Sequence, residues 1–274
     1  MASINSISPE KLARLIGTPS APALVDVRND EDFAAAAKLL PGSRRLPHKS
    51  VDDWAGLFAG RNVVVICHRG LKLSEGVAAW LRHRGVGAEI LDGGFASWAN
   101  AGLPLVPDDA IPPRDAAGRT VWVTRARPKI DRLACPWLIR RFVDPGAVFL
   151  FVAATEVAAV GERFAATPFD IEDTFWSHRG DRCTFDTMIG EFELTTPALE
   201  RLATIVRGAD TGRPELAPEA AGLLAVSLGL SRMYADDLAQ LDAALDVYDA
   251  FYRWCRDAAD EGHDWPPRRP GAGR

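Results

Sequence analysis

Short apolar runs alternate with amphipathic stretches through the first hundred residues. Four runs have the length and composition of strands: ALVDV (23–27), RRLP (44–47), NVVVIC (62–67) and AEIL (88–91). The stretches between them, such as KLSEGVAAWLRHRG (72–85), space their apolar residues three or four apart, which indicates helices. This alternation predicts an α/β fold in which helices cover both faces of a parallel sheet.

The pattern changes after residue 106. The segment GLPLVPDDAIPPRDAAGR (102–119) contains four prolines and has no clear period, which is typical of a linker. Strand-like and helical runs then alternate once more, and the chain reads almost entirely helical from Pro197 onward. We therefore predict a small α/β domain and a mainly helical α+β domain, divided as follows: first domain 1–106, Pro-rich linker 107–119, second domain 120–265 and disordered tail 266–274.

Composition and charge exclude several classes of protein. The 274 residues are 47% hydrophobic and 25% charged, and no run approaches the ~18 apolar residues of a membrane helix. The first 106 residues carry 12 Lys and Arg against 10 Asp and Glu, and the rest carry 20 against 27, so neither half has the basic excess of a nucleic-acid-binding domain. The N-terminus lacks a signal-peptide pattern, and the four cysteines form no CxxC pair. Reduced thiols and a cytoplasmic location are therefore expected.

The central apolar strand ends at Cys67, just before a predicted helix. Ligands of parallel sheets bind beyond the carboxyl ends of the strands, and a helix N-terminus favours an anion there. The same field stabilises a thiolate or persulfide, so Cys67 is predicted to be a catalytic nucleophile; the alternative is a buried structural thiol. The predicted anion-binding loop consists of His68, Arg69, Gly70, Leu71 and Lys72.

Loop length separates two kinds of cysteine chemistry. A cysteine phosphatase needs an arginine six positions after its cysteine to hold phosphate, and here that position is Leu73. Phosphatase activity is therefore not expected.

The first domain resembles a single-domain rhodanese in four segments: LVDVRNDEDF, PGSRRLP, VVVICHRGLKLSEGVAAWLRHRG and ILDGGFASWANAGLPL. That resemblance implies transfer of sulfane sulfur, as from thiosulfate, through a persulfide on Cys67. Family members often carry Arg at the position of Lys72 and Ser at that of Leu73.

A basic stretch opens the second domain. The segment TRARPKIDRLACPWLIRRFVDP (124–145) places four basic residues around Asp131, which we predict to be the N-cap of a helix. Cations beside a helix N-terminus suit a small dianion such as chromate, sulfate or thiosulfate. A solvated basic face that pairs with nearby acids is the alternative. The candidate oxyanion site consists of Arg125, Arg127, Lys129, Asp131, Arg132, Cys135, His178, Arg179 and Cys183.

The last three of these candidates come from the segment FDIEDTFWSHRGDRCTFDTM (169–188). A metal site there would combine His178 and Cys183 with an acid such as Glu172 or Asp186. Their spacings match no zinc or iron signature, so a polar turn is the favoured interpretation, and neither a metal nor a cofactor is predicted.

The segment from residue 120 to 265 resembles the C-terminal domain of chromate-resistance protein B. That resemblance implies a role in chromate resistance.

The leading hypothesis is a sulfurtransferase fused to an oxyanion-binding domain, with a small sulfur donor or oxyanion and a thiol acceptor as partners. The first alternative is a sensor of oxyanion or thiol stress in which the rhodanese domain is an adaptor. The second is a thiol-dependent chromate reductase, although the sequence shows no flavin or nicotinamide motif. Oligomeric state is not predicted.

Overall fold

The computed structural model describes residues 5–262, so the tail predicted for 266–274 lies outside the described residues. The first domain is built on a five-stranded parallel sheet with strand order β1-β6-β5-β2-β4. Its elements in chain order are β1 (Ser6–Ile7), α1 (Pro9–Leu15), β2 (Ala23–Asp26), α2 (Asp30–Ala34), β3 (Lys38–Leu39), β4 (Ser43–Arg45), α3 (Val51–Trp54), β5 (Val63–Ile66), α4 (Lys72–His83), β6 (Ala88–Leu91) and α5 (Gly94–Asn100). The predicted α/β architecture is confirmed.

The side chains of the central strands alternate between two apolar layers. Val63 and Val65 of β5 pack on one face of the sheet with residues of α3 and α4. Val64 and Ile66 pack on the opposite face with residues of α1 and α5. Because β5 is covered on both sides, its end is held rigidly, and that end carries Cys67.

The segment predicted as a linker contains regular structure. Strand β7 (Val106–Pro107) pairs antiparallel with β3 of the first domain. Further along, Asp115 accepts hydrogen bonds from the backbone and side chain of Arg119. The pairing with β3 ties the segment to the first domain, and an ion pair of Arg114 with Asp144 at 3.3 Å ties its far end to the second.

The second domain combines a small parallel sheet, of strand order β10-β8-β9, with a group of helices. Its elements are β8 (Val121–Arg125), α6 (Asp131–Leu138), β9 (Val148–Val152), α7 (Val157–Phe164), β10 (Thr167–Pro168), α8 (Thr184–Glu191), α9 (Pro197–Asp210), α10 (Ala220–Met233) and α11 (Asp237–Arg253). The helix predicted to begin at Asp131 is α6 followed by a π-helical turn (Ile139–Val143). No helix within residues 5–262 is long and apolar enough to cross a membrane.

Trp137 of α6 lies at the centre of the second domain. Its ring is fully buried among Phe142, Phe185, Tyr248 and Tyr252, with ring centroids 5.6–6.3 Å apart. Its indole N–H donates to the buried carboxylate of Asp249 at 2.8 Å, so the polar end of this side chain is satisfied within the core.

The two domains share one apolar core. Leu12, Ile16 and Trp98 of the first domain belong to the same buried cluster as Phe142 and Tyr252 of the second. The backbone N–H of Gly42 donates to the carbonyl of Phe142 at 2.6 Å. The contact also encloses a cavity of about 610 Å³, lined from both sides by residues that include Ile16, Trp98, Phe142, Leu199, Tyr252 and Cys255. The domains are therefore packed together as one body.

Candidate functional site

Cys67 follows the last residue of β5 and lies at the carboxyl end of the central strand. Its side chain is only 4% exposed, so the sulfur lies beneath the loop formed by residues 67–72, here called the Cys67 loop. The N–H of Leu71 donates to Sγ at 3.3 Å, and the hydroxyl of Ser74 lies 3.2 Å from it. Two polar groups therefore converge on the sulfur, although its other neighbours are apolar.

The backbone of the Cys67 loop is oriented by the helix that follows β6. The N–H groups of Phe95 and Ala96, in the first turn of α5, donate to the carbonyls of Cys67 and His68 at 2.9 and 3.0 Å. These bonds hold the carbonyl groups on the α5 side. The N–H groups of Arg69, Gly70 and Lys72 find no acceptor among residues 5–262. The loop therefore presents free amide donors, which is the property that anion binding requires.

Two glycines allow the loop to fit against this turn. Gly70 has φ +67°, and a Cβ there would lie 2.6 Å from the carbonyl oxygen of Leu91. Gly94 has φ +61°, and a Cβ there would lie 2.2 Å from the carbonyl oxygen of Cys67. Both positions therefore exclude any larger residue. Gly94, which the sequence analysis did not single out, is as necessary to the loop as Gly70.

The remaining loop side chains face outward to different degrees. Leu71 is 60% exposed, Lys72 and Arg69 are exposed, and His68 is half-buried with an Nδ1 atom that lacks a partner in the described part of the chain. Lys72 forms no ion pair with any residue from 5 to 262, so its ammonium group is available beside the loop. Behind the sheet end, Asp26 and Arg28 form a buried ion pair at 2.6 Å.

A second polar site lies in the other domain, at the start of α6. The carboxylates of Asp131, Asp170 and Asp210 converge on Nε2 of His178 at 3.4, 3.4 and 3.3 Å. These four side chains, here called the aspartate–histidine cluster, come from the first turn of α6, the residues after β10, the following loop and the last turn of α9. Asp131 is fully buried and Asp170 is 8% exposed.

The environment of this cluster raises the pKa values of Asp131 and His178, for different reasons. Burial raises the pKa of Asp131 to about 6, against the lowering effect of its contact with His178, and the neighbouring Asp210 and Asp170 raise it further. Hydrogen bonds to Asp131, Asp170 and Asp210 raise the pKa of His178 to about 12. The three carboxylates therefore share a positive charge on His178, and the site is one that favours a cation. Asp131, Asp170 and His178 are also the group within residues 5–262 whose ligand atoms lie close enough together to hold a metal ion.

The sequence prediction that Asp131 is the N-cap of α6 is wrong. Ile130 occupies the N-cap with φ 36°, and Asp131 is the first helical residue. Its carboxylate instead accepts the backbone N–H of Thr184, at the start of α8, at 2.6 Å. The difference arises because Asp131 is fully buried between helices, where it bonds a distant backbone group rather than its own helix.

The other residues of the predicted oxyanion site separate into several environments. Arg125 and Arg132 contact the far oxygen of Asp170 at 3.4 and 3.3 Å, so acids of the cluster already neutralise them. Arg127 instead binds the carbonyl groups of Ser231, Tyr234 and Ala235 at the end of α10. Four further candidates lie elsewhere: Arg179 pairs with Glu191, Lys129 is exposed, and the thiols of Cys135 and Cys183 are fully buried.

Asp170 and Asp210 were missed by the sequence analysis as site residues. Asp210 is the last residue of α9, a position where polar residues are ordinary. The only sequence signal was that polar residues stand at the ends of several predicted elements, and such residues are common at helix and strand ends for structural reasons. The metal grouping considered at the sequence level, His178 with Cys183 and Glu172 or Asp186, is not the one that the fold assembles, because Asp186 bonds Arg207 and the backbone of Cys183.

Comparison with known proteins assigns each half to a family. The model of the family described as rhodanese-like domain matches residues 8–101, and that of ChrB, C-terminal domain, matches residues 122–255. A sulfurtransferase of Allochromatium vinosum is 30% identical over 105 residues, which cover 38% of this chain and 95% of that protein. The thiosulfate sulfurtransferase GlpE of Actinobacillus succinogenes is 32% identical over 101 residues, or 36% of this chain and 87% of that protein.

The second half has its own relative. Protein ChrB of Cupriavidus metallidurans is 36% identical over 146 residues, which make up 52% of this chain and 43% of that protein. Less than half of that relative is therefore represented here. The chain belongs to the rhodanese-like family through residues 8–101 and carries a ChrB C-terminal domain over residues 122–255.

Proposed function

We propose that the protein is a sulfurtransferase that carries sulfane sulfur on Cys67. The observation that supports this most directly is the Cys67 loop itself. It places a sulfur atom at the end of a buried strand, beneath backbone N–H groups. The carbonyl groups of the same loop are hydrogen-bonded to α5. Relatives named sulfurtransferase and thiosulfate sulfurtransferase match this half of the chain over most of their own length.

The proposed reaction has two steps. The Cys67 thiolate attacks the outer sulfur of a donor such as thiosulfate, a new S–S bond forms, and the donor's S–S bond breaks with its electron pair leaving on sulfite. An acceptor thiolate or cyanide then attacks the outer sulfur of the persulfide, and the Cys67 thiolate is the leaving group. In both steps negative charge lies on sulfur, where the N–H of Leu71 and the hydroxyl of Ser74 contact Sγ and stabilise it, with the ammonium of Lys72 beside the loop.

Two departures from the family pattern bear on the choice of donor. Lys72 stands where an arginine is frequent, and an ammonium group offers a point charge in place of a bidentate guanidinium. Leu73 stands where a serine is frequent, and the hydroxyl that contacts Sγ comes from the next residue, Ser74. We infer that small donors such as thiosulfate are accepted. Lys72 should bind the doubly charged group of such a donor less tightly than an arginine at this position would.

Mass spectrometry of the intact chain tests the proposal. After exposure to thiosulfate, the wild-type protein should gain the mass of one sulfur atom, and the gain should be lost in Cys67→Ser, a nearly isosteric change. Cys135→Ser is the matched control, because Cys135 lies in the other domain and should leave loading unchanged. Steady turnover with cyanide or a thiol acceptor would support an enzyme over a carrier. Equal sulfur loading in Cys67→Ser would refute the proposal.

The structure favours one of the alternative functions over the other. A sensor needs a connection between the domains, and the shared core with the Gly42–Phe142 hydrogen bond supplies one. A thiol-dependent chromate reductase would need accessible thiols, whereas Cys135 and Cys183 are fully buried and burial raises the pKa of both well above the ordinary value. The second candidate function is therefore that sulfur loading of Cys67 is read by the ChrB domain in a response linked to chromate. Loading that leaves hydrogen exchange in α6 and α11 unchanged would contradict it.

A further inference from the structure

We propose that the aspartate–histidine cluster of the ChrB domain is a binding site for a divalent first-row metal ion, with Mn²⁺ or Fe²⁺ as the best match. Asp131, Asp170 and His178 hold their ligand atoms within 4.8 Å of one another and would supply one each; Asp210, whose oxygen lies 3.3 Å from Nε2 of His178, would join them as a fourth ligand on binding. The proposal is independent of the sulfurtransferase function, since the four residues belong to the other domain and none contacts the Cys67 loop.

The arrangement around His178 is the first argument. Nε2 of an imidazole carries at most one hydrogen, so it can donate to one acceptor. Three carboxylate oxygens nevertheless lie at nearly equal distances of 3.3–3.4 Å from it. Ligands bound to a metal at about 2.0–2.2 Å lie about 3.0–3.5 Å from one another in octahedral or tetrahedral geometry. The distances of the carboxylates from Nε2 are thus those expected between ligands of a common ion, and the ligand atoms of Asp131, Asp170 and His178 also lie within 4.8 Å of one another.

The hydrogen bonding of Asp131 is the second argument. This residue is completely buried, and its Oδ2 faces His178 and accepts the N–H of Thr184. Its other oxygen, Oδ1, has no hydrogen-bond partner in the portion of the chain that the structure describes. A buried carboxylate oxygen without a partner is destabilising, because it has lost its hydrogen bonds to water and gained none in return. Coordination of a cation by this carboxylate would remove that cost.

The charge of the surroundings is the third argument. Asp170 has two guanidinium neighbours, Arg125 and Arg132, which contact its Oδ2, while its Oδ1 lies 3.4 Å from Nε2 of His178 and accepts the hydroxyl of Thr184 at 2.9 Å. Asp210 has no arginine within ion-pair distance in residues 5–262, and its Oδ1 lies 3.5 Å from the backbone N–H of Asp131. The inner faces of the three carboxylates are therefore not neutralised by any of these arginines.

The ligand set decides the class of metal. Three carboxylates make a hard, oxygen-rich site, which Mg²⁺, Ca²⁺ and Mn²⁺ accept, while imidazole favours transition metals. Mn²⁺ and Fe²⁺ satisfy both conditions. The thiols of Cys135 and Cys183 lie on the buried side of the cluster and do not belong to the group of close ligand atoms, so a soft metal is not selected. His178 is 41% exposed at its side chain, which leaves a path for the ion from solvent.

Titration of the full-length chain with Mn²⁺ tests the site. After dialysis against a chelator, the protein should bind about one Mn²⁺ per chain, seen as loss of the sharp EPR signal of free aqueous Mn²⁺. Asp210→Asn and His178→Gln each remove one ligand charge or atom and should weaken binding by about 10–100-fold. Asp181→Asn is the matched control, because Asp181 is an acid of the same loop with a 93% exposed side chain, and its binding should equal that of the wild type.

A second readout separates loss of the site from loss of the fold. Mn²⁺ should raise the melting temperature of the wild type and of Asp181→Asn, and should leave that of Asp210→Asn almost unchanged, while all three unfold cooperatively in the chelator. The proposal is overturned if the wild type leaves the EPR signal of Mn²⁺ intact up to about millimolar metal. It is equally overturned if folded Asp210→Asn and His178→Gln bind Mn²⁺ as tightly as the wild type.

Discussion

Gly70 lies where the Cys67 loop comes closest to the turn after β6. Its φ of +67° and the 2.6 Å approach of a Cβ to the carbonyl of Leu91 both exclude a side chain. We expect Gly70→Ala to displace the loop and to lower the rate of persulfide formation by at least about tenfold, a cost of ~1.4 kcal/mol in the transition state. The rate of sulfur loading, followed by mass spectrometry at limiting thiosulfate, measures it.

Gly76 provides the control for this substitution. It lies in α4, a few residues after the loop, and a Cβ there would meet no atom within 4 Å. Gly76→Ala should raise the free energy of unfolding by about 0.5–1 kcal/mol, because alanine is the better helix former. Its sulfur-loading rate should match the wild type. Equal rates in all three proteins would show that the shape of the loop does not govern the chemistry.

The buried thiols of the second domain lead to another prediction. Burial is the largest cause that raises the pKa of Cys135 and of Cys183, and the nearby Asp131 adds to it. Because only the thiolate reacts with alkylating agents, both thiols should stay unlabelled by iodoacetamide in the folded protein at pH 8. All four cysteines should react after unfolding in guanidinium chloride. Peptide mass spectrometry gives the labelled fraction at each position, and rapid native labelling of Cys135 would contradict the buried placement.

At the scale of elements, Gly17 lies just after α1, where the chain packs against the second domain. It has φ +78°, and a Cβ there would lie 2.3 Å from Cζ of Phe142 and 2.8 Å from a ring atom of Tyr252. Gly17→Ala should therefore destabilise the protein through backbone strain and through overpacking of the domain contact, by about 2–4 kcal/mol together. Thermal unfolding followed by circular dichroism measures the loss.

Gly85 separates these two causes. Its φ of +77° is nearly the same, but a Cβ there would meet nothing within 4 Å. Gly85→Ala should cost only the backbone strain, about 1–2 kcal/mol. The difference between the two variants then reports the packing between domains. If Gly85→Ala and Gly17→Ala lower the melting temperature equally, the contact of Gly17 with Phe142 contributes nothing to stability.

Elements with a strong local pattern could be predicted from the sequence, and those that depend on distant partners could not. The apolar run of β5 and the glycine after α4 identified a central strand and a helix end without further information. Strands β3 and β7 are two residues long and exist only because they pair with each other across more than sixty residues of chain. No local pattern marks such a pair, which is why the segment after residue 106 was predicted to be a plain linker.

The candidate sites differ in the same way. The Cys67 loop is contiguous in sequence, so its residue types and spacing were sufficient to predict a sulfur site at the end of a strand. The aspartate–histidine cluster draws on positions 131, 170, 178 and 210, and the contacts that join them depend on how α6 and α9 pack. From the sequence, the arginines of this region suggested an anion site. In the fold, Arg125 and Arg132 contact one oxygen of Asp170, and the other oxygen faces His178.

At the scale of the whole molecule, the shared core predicts how the chain unfolds. Residues of α1 and α5 and of the second-domain helices belong to one buried cluster, and the Gly42–Phe142 and Lys38–Glu193 contacts cross the same boundary. Neither domain can leave the other without exposing apolar surface, so the two should unfold together. Differential scanning calorimetry should show a single transition with equal calorimetric and van't Hoff enthalpies. Gly17→Ala should lower that transition, and Gly85→Ala should lower it less. Two resolved transitions in the wild type would mean that the domains fold separately. A sulfur atom on Cys67 could then not affect the ChrB domain through a shared core.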